Sequence, residues 1–310
     1  MRRRALLAST LLPWRALAQS WPQRAIRLVV AYPPGGVSDE IARALAEKLG
    51  HRLGVPVLVE HRPGAGGAVA MDWLAHAAPD GYTLCFSAIS PLTLAPRAMQ
   101  AEHNPLRDIV PVASIMFTPI LVVGTPALRA RDFEGMLAVA HMQPGGVRWA
   151  TSGIGTVGHA VLEQVKRARG ADLVHIPYKG GGQQLTDALG GQFEVLSTNV
   201  APQQLAHVRA GRFKALAVGA PARLPVLPDV PTFAELGIPQ ANIVSLFGVF
   251  APAGTPRQVL ERLNAELNRA IAEPDIRARL LASSNTPAGG SMESFADAIL
   301  REARATAMGR

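Results

Sequence analysis

The strongest constraint on the fold is a design that the chain uses twice. Ile26–Leu49 and Val147–Arg169 each read as a short apolar strand, a glycine-bearing loop and an amphipathic helix. Ile26 to Ala31 (IRLVVA) is apolar throughout, as a strand covered on both faces of a sheet requires. Tyr32-Pro33-Pro34-Gly35-Gly36-Val37-Ser38-Asp39 follows, with Ser38 expected to cap a helix. Ile41, Ala42, Leu45 and Leu49 recur at helical spacing in that helix, and Gly50 ends it. A second strand is expected over Val55–Glu60. Gly64-Ala65-Gly66-Gly67 opens a helix through Ala77, and Asp80-Gly81 turns into a third strand, Thr83–Ser87. This βαβαβ order predicts an α/β fold with a parallel sheet and helices on both faces.

The pattern then restarts. Val112–Val123 is β-prone, broken at Pro119, and reads as a crossing between domains. Strands follow at Val147–Thr151, Leu173–Ile176, Phe193–Thr198 and Lys214–Val218, with helices over Val157–Arg169 and Gln183–Leu189. Val244–Phe250 reads as a return crossing. Beyond it Leu260, Leu263, Leu267 and Ile271 line one helical face, and a last helix starts near Ser291. The expected architecture is two lobes, residues 19–118 plus 247–310 and residues 119–246, hinged about a ligand cleft. In open α/β sheets ligands sit outside the carboxyl ends of the strands.

Two loops there have the makings of an anion clamp. Each places glycines at a helix N-terminus, where free N–H groups and the helix dipole attract negative charge. The second loop is Thr151-Ser152-Gly153-Ile154-Gly155-Thr156. An ordinary turn with a Ser or Thr cap fits either loop alone; two at matching positions favour the clamp. Asp39 fits either support of its own helix or ligand contact. Gly153-Ile154-Gly155-Thr156-Val157-Gly158 formally matches a dinucleotide fingerprint. Asp172, however, falls at the start of the next strand, whereas the ribose-binding acid belongs at its end.

Other chemistry is thin. The sequence has no Gly-Lys dipeptide, no G-x-S-x-G elbow and no metal-ligand spacing among its 8 histidines. His159 reads as a helix residue rather than a base for Ser152. No catalytic residue, cofactor or metal is expected. Cys85, the single cysteine, lies in an apolar run and reads as inert core packing.

Arg2–Arg4, the apolar stretch Ala5–Trp14 and Ala16-Leu17-Ala18 read as a signal peptide cleaved before Gln19, giving a periplasmic protein. Its loss takes the formal charge from +8 to +4, with no basic run or interleaved aromatics, which excludes a nucleic-acid footprint. The mature chain has no segment long and apolar enough to span a bilayer.

Motifs along the whole mature chain closely resemble the periplasmic receptors of tripartite tricarboxylate transporters, the Bug family. They include Tyr32-Pro33-Pro34-Gly35-Gly36, Glu60-His61-Arg62-Pro63-Gly64-Ala65-Gly66-Gly67, Pro79-Asp80-Gly81-Tyr82-Thr83-Leu84, Ser152-Gly153-Ile154-Gly155-Thr156, His175-Ile176-Pro177-Tyr178-Lys179-Gly180, Leu227-Pro228-Asp229-Val230-Pro231-Thr232 and Ala251-Pro252-Ala253-Gly254-Thr255-Pro256. The resemblance implies a two-lobed, type II periplasmic-binding fold that closes on a small carboxylate held by backbone amides, hydroxyls and water. It assigns contacts to Tyr32, Pro34, Gly36, Val37, Ser38, Asp39, Ser87 and Ala88 in the first lobe. In the second it assigns Ser152, Thr156, Tyr178, Thr198 and Asn199. Two positions depart from the family pattern: Thr198 stands where aspartate is frequent, and Thr151 where serine is usual. The implied partner is a two-component membrane permease, and a monomer is expected. The competing functions are a hydrolase or transferase using the same cleft, which lacks a nucleophile–base pair, and the effector module of a regulator, which lacks a DNA-binding segment.

Overall fold

The structure is a computed structural model that describes residues 21–98 and 107–308. The expected signal peptide lies outside the described residues. The first lobe opens with β1 (Ile26–Val30), α1 (Val37–Leu53), β2 (Val57–His61), α2 (Ala68–Ala75), β3 (Thr83–Ala88) and two short helices, α3 (Ser90–Thr93) and α4 (Ala95–Ala98). As the alternation predicts, β1 pairs in parallel with both β2 and β3. Leu28 and Val30 face one side of the sheet and Val29 the other, all fully buried, so an apolar run serves two cores at once. Arg27 is the exception in this strand. It pairs with Glu60 on β2 through two hydrogen bonds of 2.8 and 2.7 Å and lies over the Trp73 ring.

β4 (Ile109–Gly124) joins the lobes. Ile109–Pro119 pairs antiparallel with β9 (Val244–Pro252), which in turn pairs with β3. Ile120–Gly124 pairs instead with β7 (Val195–Asn199) and β8 (Lys214–Gly219) in the second lobe. The expected break at Pro119 does not occur; the strand runs straight through. The ladder to β9 ends opposite Pro119 and those to β7 and β8 begin at Ile120, so the missing N–H falls between two ladders. The Pro119 carbonyl still accepts from Val200 N at 3.0 Å.

The second lobe continues with α5 (Phe133–Met142), β5 (Val147–Thr151), α6 (Val157–Arg169), β6 (Leu173–Pro177), α7 (Gly181–Leu189) and α8 (Pro202–Arg209). Its sheet runs β8–β4–β7–β5–β6, with β5 parallel to β6 and β7. The chain returns through β9 to α9 (Arg257–Ala272), α10 (Pro274–Ala282), β10 (Thr286–Pro287) and α11 (Met292–Met308), all packed on the first lobe. Leu263, Leu267 and Ile271 of α9 are buried against α1, β1, β3 and β4, while Phe295 and Ile299 of α11 cover the opposite face beside Cys85. Cys85 is fully buried, and desolvation drives its thiol pKa upward, which keeps it protonated and inert.

Three local expectations need correction. Gly50 does not end α1, which runs on to Leu53 and closes on Gly54 in the left-handed conformation. α1 is capped by Gly36, not Ser38; its first turn has no side-chain cap. Asp39, in that first turn, reaches back to accept the Gly35 N–H at 3.0 Å, which fixes the loop without a capping hydroxyl. Gly64–Gly67 does not open the helix directly either. Gly64, Ala65, Gly66 and Gly67 all have positive φ, so the segment is a tight left-handed turn with α2 starting after it.

Candidate ligand site between the lobes

The carboxyl ends of β1, β5 and β7 meet at the cleft. A cavity of about 290 Å³ opens there between α1, α7 and α8, and an inner pocket of about 30 Å³ adjoins it. Tyr32, Ser152, Thr198, Asn199 and Phe247 line both. The outer chamber adds Pro34, Gly36, Val37 and Ser38 from the first loop. The inner pocket adds Ala88 and Thr156. Ten of the residues expected from the sequence therefore converge on one space.

Three do not. Asp39 is buried with its carboxylate fully engaged. Besides Gly35 it meets His61 Nε2 at 2.7 Å and Arg43 Nε at 2.8 Å. Burial works against its charge, but Gly35, His61 and Arg43 outweigh that and hold its carboxyl below the usual range. Of the two readings of Asp39, support of the loop is the one its contacts favour. Ser87 is fully buried beneath Gly67, behind the pocket. Tyr178 turns away from the cleft, its hydroxyl donating to Asp187 Oδ2 at 2.7 Å and its ring packing on Phe193.

Sequence reasoning missed a whole wall. Gly181, Gly182, Gln184, Leu185 and Leu189 of α7, with Gln203 and Gln204 of α8, line the outer chamber. Phe247 of β9 forms its floor against the Tyr32 ring. The Gly180-Gly181-Gly182 run that caps and opens α7 was the available signal, because it repeats the glycine-then-helix design of the other two loops. Ser90 and Ser245 in the inner pocket had no local signature.

The electrostatics follow from this list. Among the described residues no charged side chain lines either cavity. Instead α1, α7 and α8 start at the outer chamber on Gly36, Gly180 and Ala201, and none of the three has a side-chain cap. Apart from Pro202, which has no N–H, and Asp39, whose N–H donates to Gly36 O at 3.1 Å, their first-turn N–H groups have no acceptor within the helix, and their dipoles favour a negative one. At α6 the Thr156 hydroxyl accepts from His159 N, so that terminus is already capped. The inner pocket is a ring of neutral hydroxyls and amides. Asn199 Oδ1 accepts from Ser245 Oγ at 3.0 Å, which leaves the amide donors for the pocket. The Tyr32 hydroxyl accepts from Ala88 N, and burial pushes its pKa up to about 12, so it stays neutral. Thr198, the departure from the family pattern, faces both cavities.

Residues 41–302 match the family model described as "Tripartite tricarboxylate transporter family receptor". The chain belongs to this receptor family. BugT of Bordetella pertussis is 36% identical over 272 residues, 87% of this chain and 83% of BugT. Among solved structures, MatC from Rhodopseudomonas palustris with bound malate is 29% identical, with a TM-score of 0.86 over 92% of the receptor and 98% of that chain. A second R. palustris protein, solved with adipate, is 28% identical, with a TM-score of 0.85 over 92% and 95% of the two chains. These relatives are receptors and not enzymes, and their likeness confirms the two-lobed binding-protein fold. Among the described residues no helix of the receptor is long and apolar enough to cross a membrane.

Proposed function

We propose that the receptor captures a small carboxylate in the periplasm and holds it with neutral donors. The observation that carries this reading is a cavity with no charged side chain, onto which three helices without side-chain caps open. An anion there gains N–H hydrogen bonds and dipole attraction without a buried cation that would stand unpaired in the empty state. Malate in MatC and adipate in the second R. palustris structure give the size class. The carboxylate sits where the starts of α1, α7 and α8 face the outer chamber, and the hydroxyls and amides of the adjoining inner pocket hold a second polar group of the ligand.

Neutral Thr198 in place of an aspartate removes both the acceptor that an ammonium would need and the charge that would repel a second carboxylate. The preferred ligands are therefore dicarboxylates, tricarboxylates or aromatic acids rather than amino acids. Delivery is to a membrane permease of the tripartite type, by a monomeric receptor processed before Gln19. The lobes, residues 19–118 plus 247–310 and 119–246, move as two bodies about the crossings at Pro119 and Val244. Mass spectrometry of small molecules released from freshly purified receptor tests the reading. A stoichiometric organic acid is expected; a stoichiometric amino acid or sugar contradicts it.

A further inference from the structure

Two histidines that touch neither cavity hold the second-lobe loop from behind. His159, in the first turn of α6, and His175, in β6, stack with centroids 4.4 Å apart and planes 17° apart. His159 Nδ1 accepts the Gly155 N–H at 3.2 Å. His175 Nε2 lies 2.7 Å from Thr151 Oγ1, which is itself 3.2 Å from both the nitrogen and the oxygen of Gly153. Thr156 Oγ1 completes the ring, donating to Gly153 O at 2.7 Å and accepting from His159 N at 3.3 Å. The loop between Thr151 and Thr156 cannot move without breaking this ring, and it carries Ser152 and Thr156 into the inner pocket.

The ring needs a neutral His159. Accepting from Gly155 requires a lone pair on Nδ1, and an imidazolium there would oppose N–H to N–H. A charge on either ring would also repel a charge on the other. Desolvation lowers both histidines, and the neighbouring ring helps to bring His175 down to about 4. The charged groups that act on the pair are Glu163 and Lys166 of α6, and they oppose each other.

We propose that the neutral His159–His175 pair positions the second-lobe loop, so that protonating the pair withdraws Ser152 and Thr156 from the pocket and weakens ligand binding. The proposal rests on the receptor reading above. Because the folded values lie below the ordinary imidazole value, the contribution is full above about pH 6.5 and is lost as pH falls toward about 4.

The test compares wild type with the double variant His159→Asn/His175→Gln. Asparagine Oδ1 stands where Nδ1 stood and glutamine Nε2 where the ring Nε2 stood, and neither titrates. Calorimetry with malate and with adipate should find the two proteins within about threefold of each other at pH 7. By about pH 3.5, below the folded value of His175, wild type should bind at least about threefold more weakly than the double variant, a ratio from which protonation of the probe cancels. His159→Leu should lose about tenfold at every pH. Identical pH profiles for wild type and double variant overturn the proposal. Binding of neither probe at pH 7 excludes malate and adipate as ligands and leaves the histidine pair to a ligand-free readout. The histidines are then decided on unliganded protein by NMR titration of the two rings and the Gly155 amide. Ordinary imidazole titration with an unmoved Gly155 signal overturns the positioning role; depressed titration that carries the Gly155 signal with it supports it.

Discussion

Gly36 and Gly155 lie in the two repeated loops, Gly36 as the N-cap of α1 and Gly155 one residue before the Thr156 cap of α6, and they do different work. A Cβ on Gly36 would meet no protein atom within 4 Å and would project toward the chamber that Gly36 lines. A Cβ on Gly155 would lie 2.4 Å from the Ala95 Cα of the opposite lobe. Gly36→Val is therefore expected to keep the fold and lose at least about tenfold in affinity, or about 1.4 kcal/mol, in calorimetry. Lys179→Ala, at an exposed residue outside the cavity, should change affinity by less than about threefold; a larger loss there than at Gly36 would point to a cationic clamp. Asp39→Ala strands the Gly35 N–H, and urea unfolding should show a loss of about 2 kcal/mol. Its depressed carboxyl contributes fully above about pH 3.8, and that contribution is lost as pH falls through the lower folded value. These roles were not readable from the sequence. The loop pattern announces a backbone approach at both glycines but not which surface approaches, and Asp39 in a first helical turn is compatible with either use.

Elements were legible where the pattern is local. The apolar runs of β1, β3, β5 and β9, and the periodicity of α1, α6 and α9, need no partner to be recognised. What failed depends on neighbours. Pro119 looks like a strand break until its position between two ladders is known, and α8 and its Gln203 and Gln204 gave no signal, although the helix supplies part of the cavity wall. The loops also meet each other: Gly153 packs on Gly66, Gly155 on Ala95 and Gly180 on Pro33, all across the cleft. Gly155→Ala is expected to hold these loops apart. Its φ of +72° adds strain of about 1 kcal/mol within the lobe, small beside the blocked contact. Small-angle scattering should show the radius of gyration of wild type falling with ligand and that of the variant staying constant. Equal contraction in both would remove Gly155 from the closing surface.

At the scale of the whole molecule, a ligand and two lobes stabilise one another. Closure is expected to bury polar loop donors, a cost that only an acceptor in the cavity offsets, so the account predicts that the liganded state is the closed one. Processing is a separate expectation of the same account. Receptor recovered from the periplasm should have the intact mass of a chain beginning at Gln19, and a product that retains Met1–Ala18 would refute it.

The central claim is that a charge-free cleft selects a carboxylate without an ammonium group. A thermal-unfolding panel on ligand-free receptor tests it most directly, with malate, adipate, an aromatic acid and the matching amino acids each at saturating concentration. A ligand present at a hundred times its dissociation constant adds about 2.7 kcal/mol of stability. At least one plain carboxylate should raise the midpoint while the amino acids leave it unchanged. A rise with amino acids and none with plain carboxylates would contradict the account.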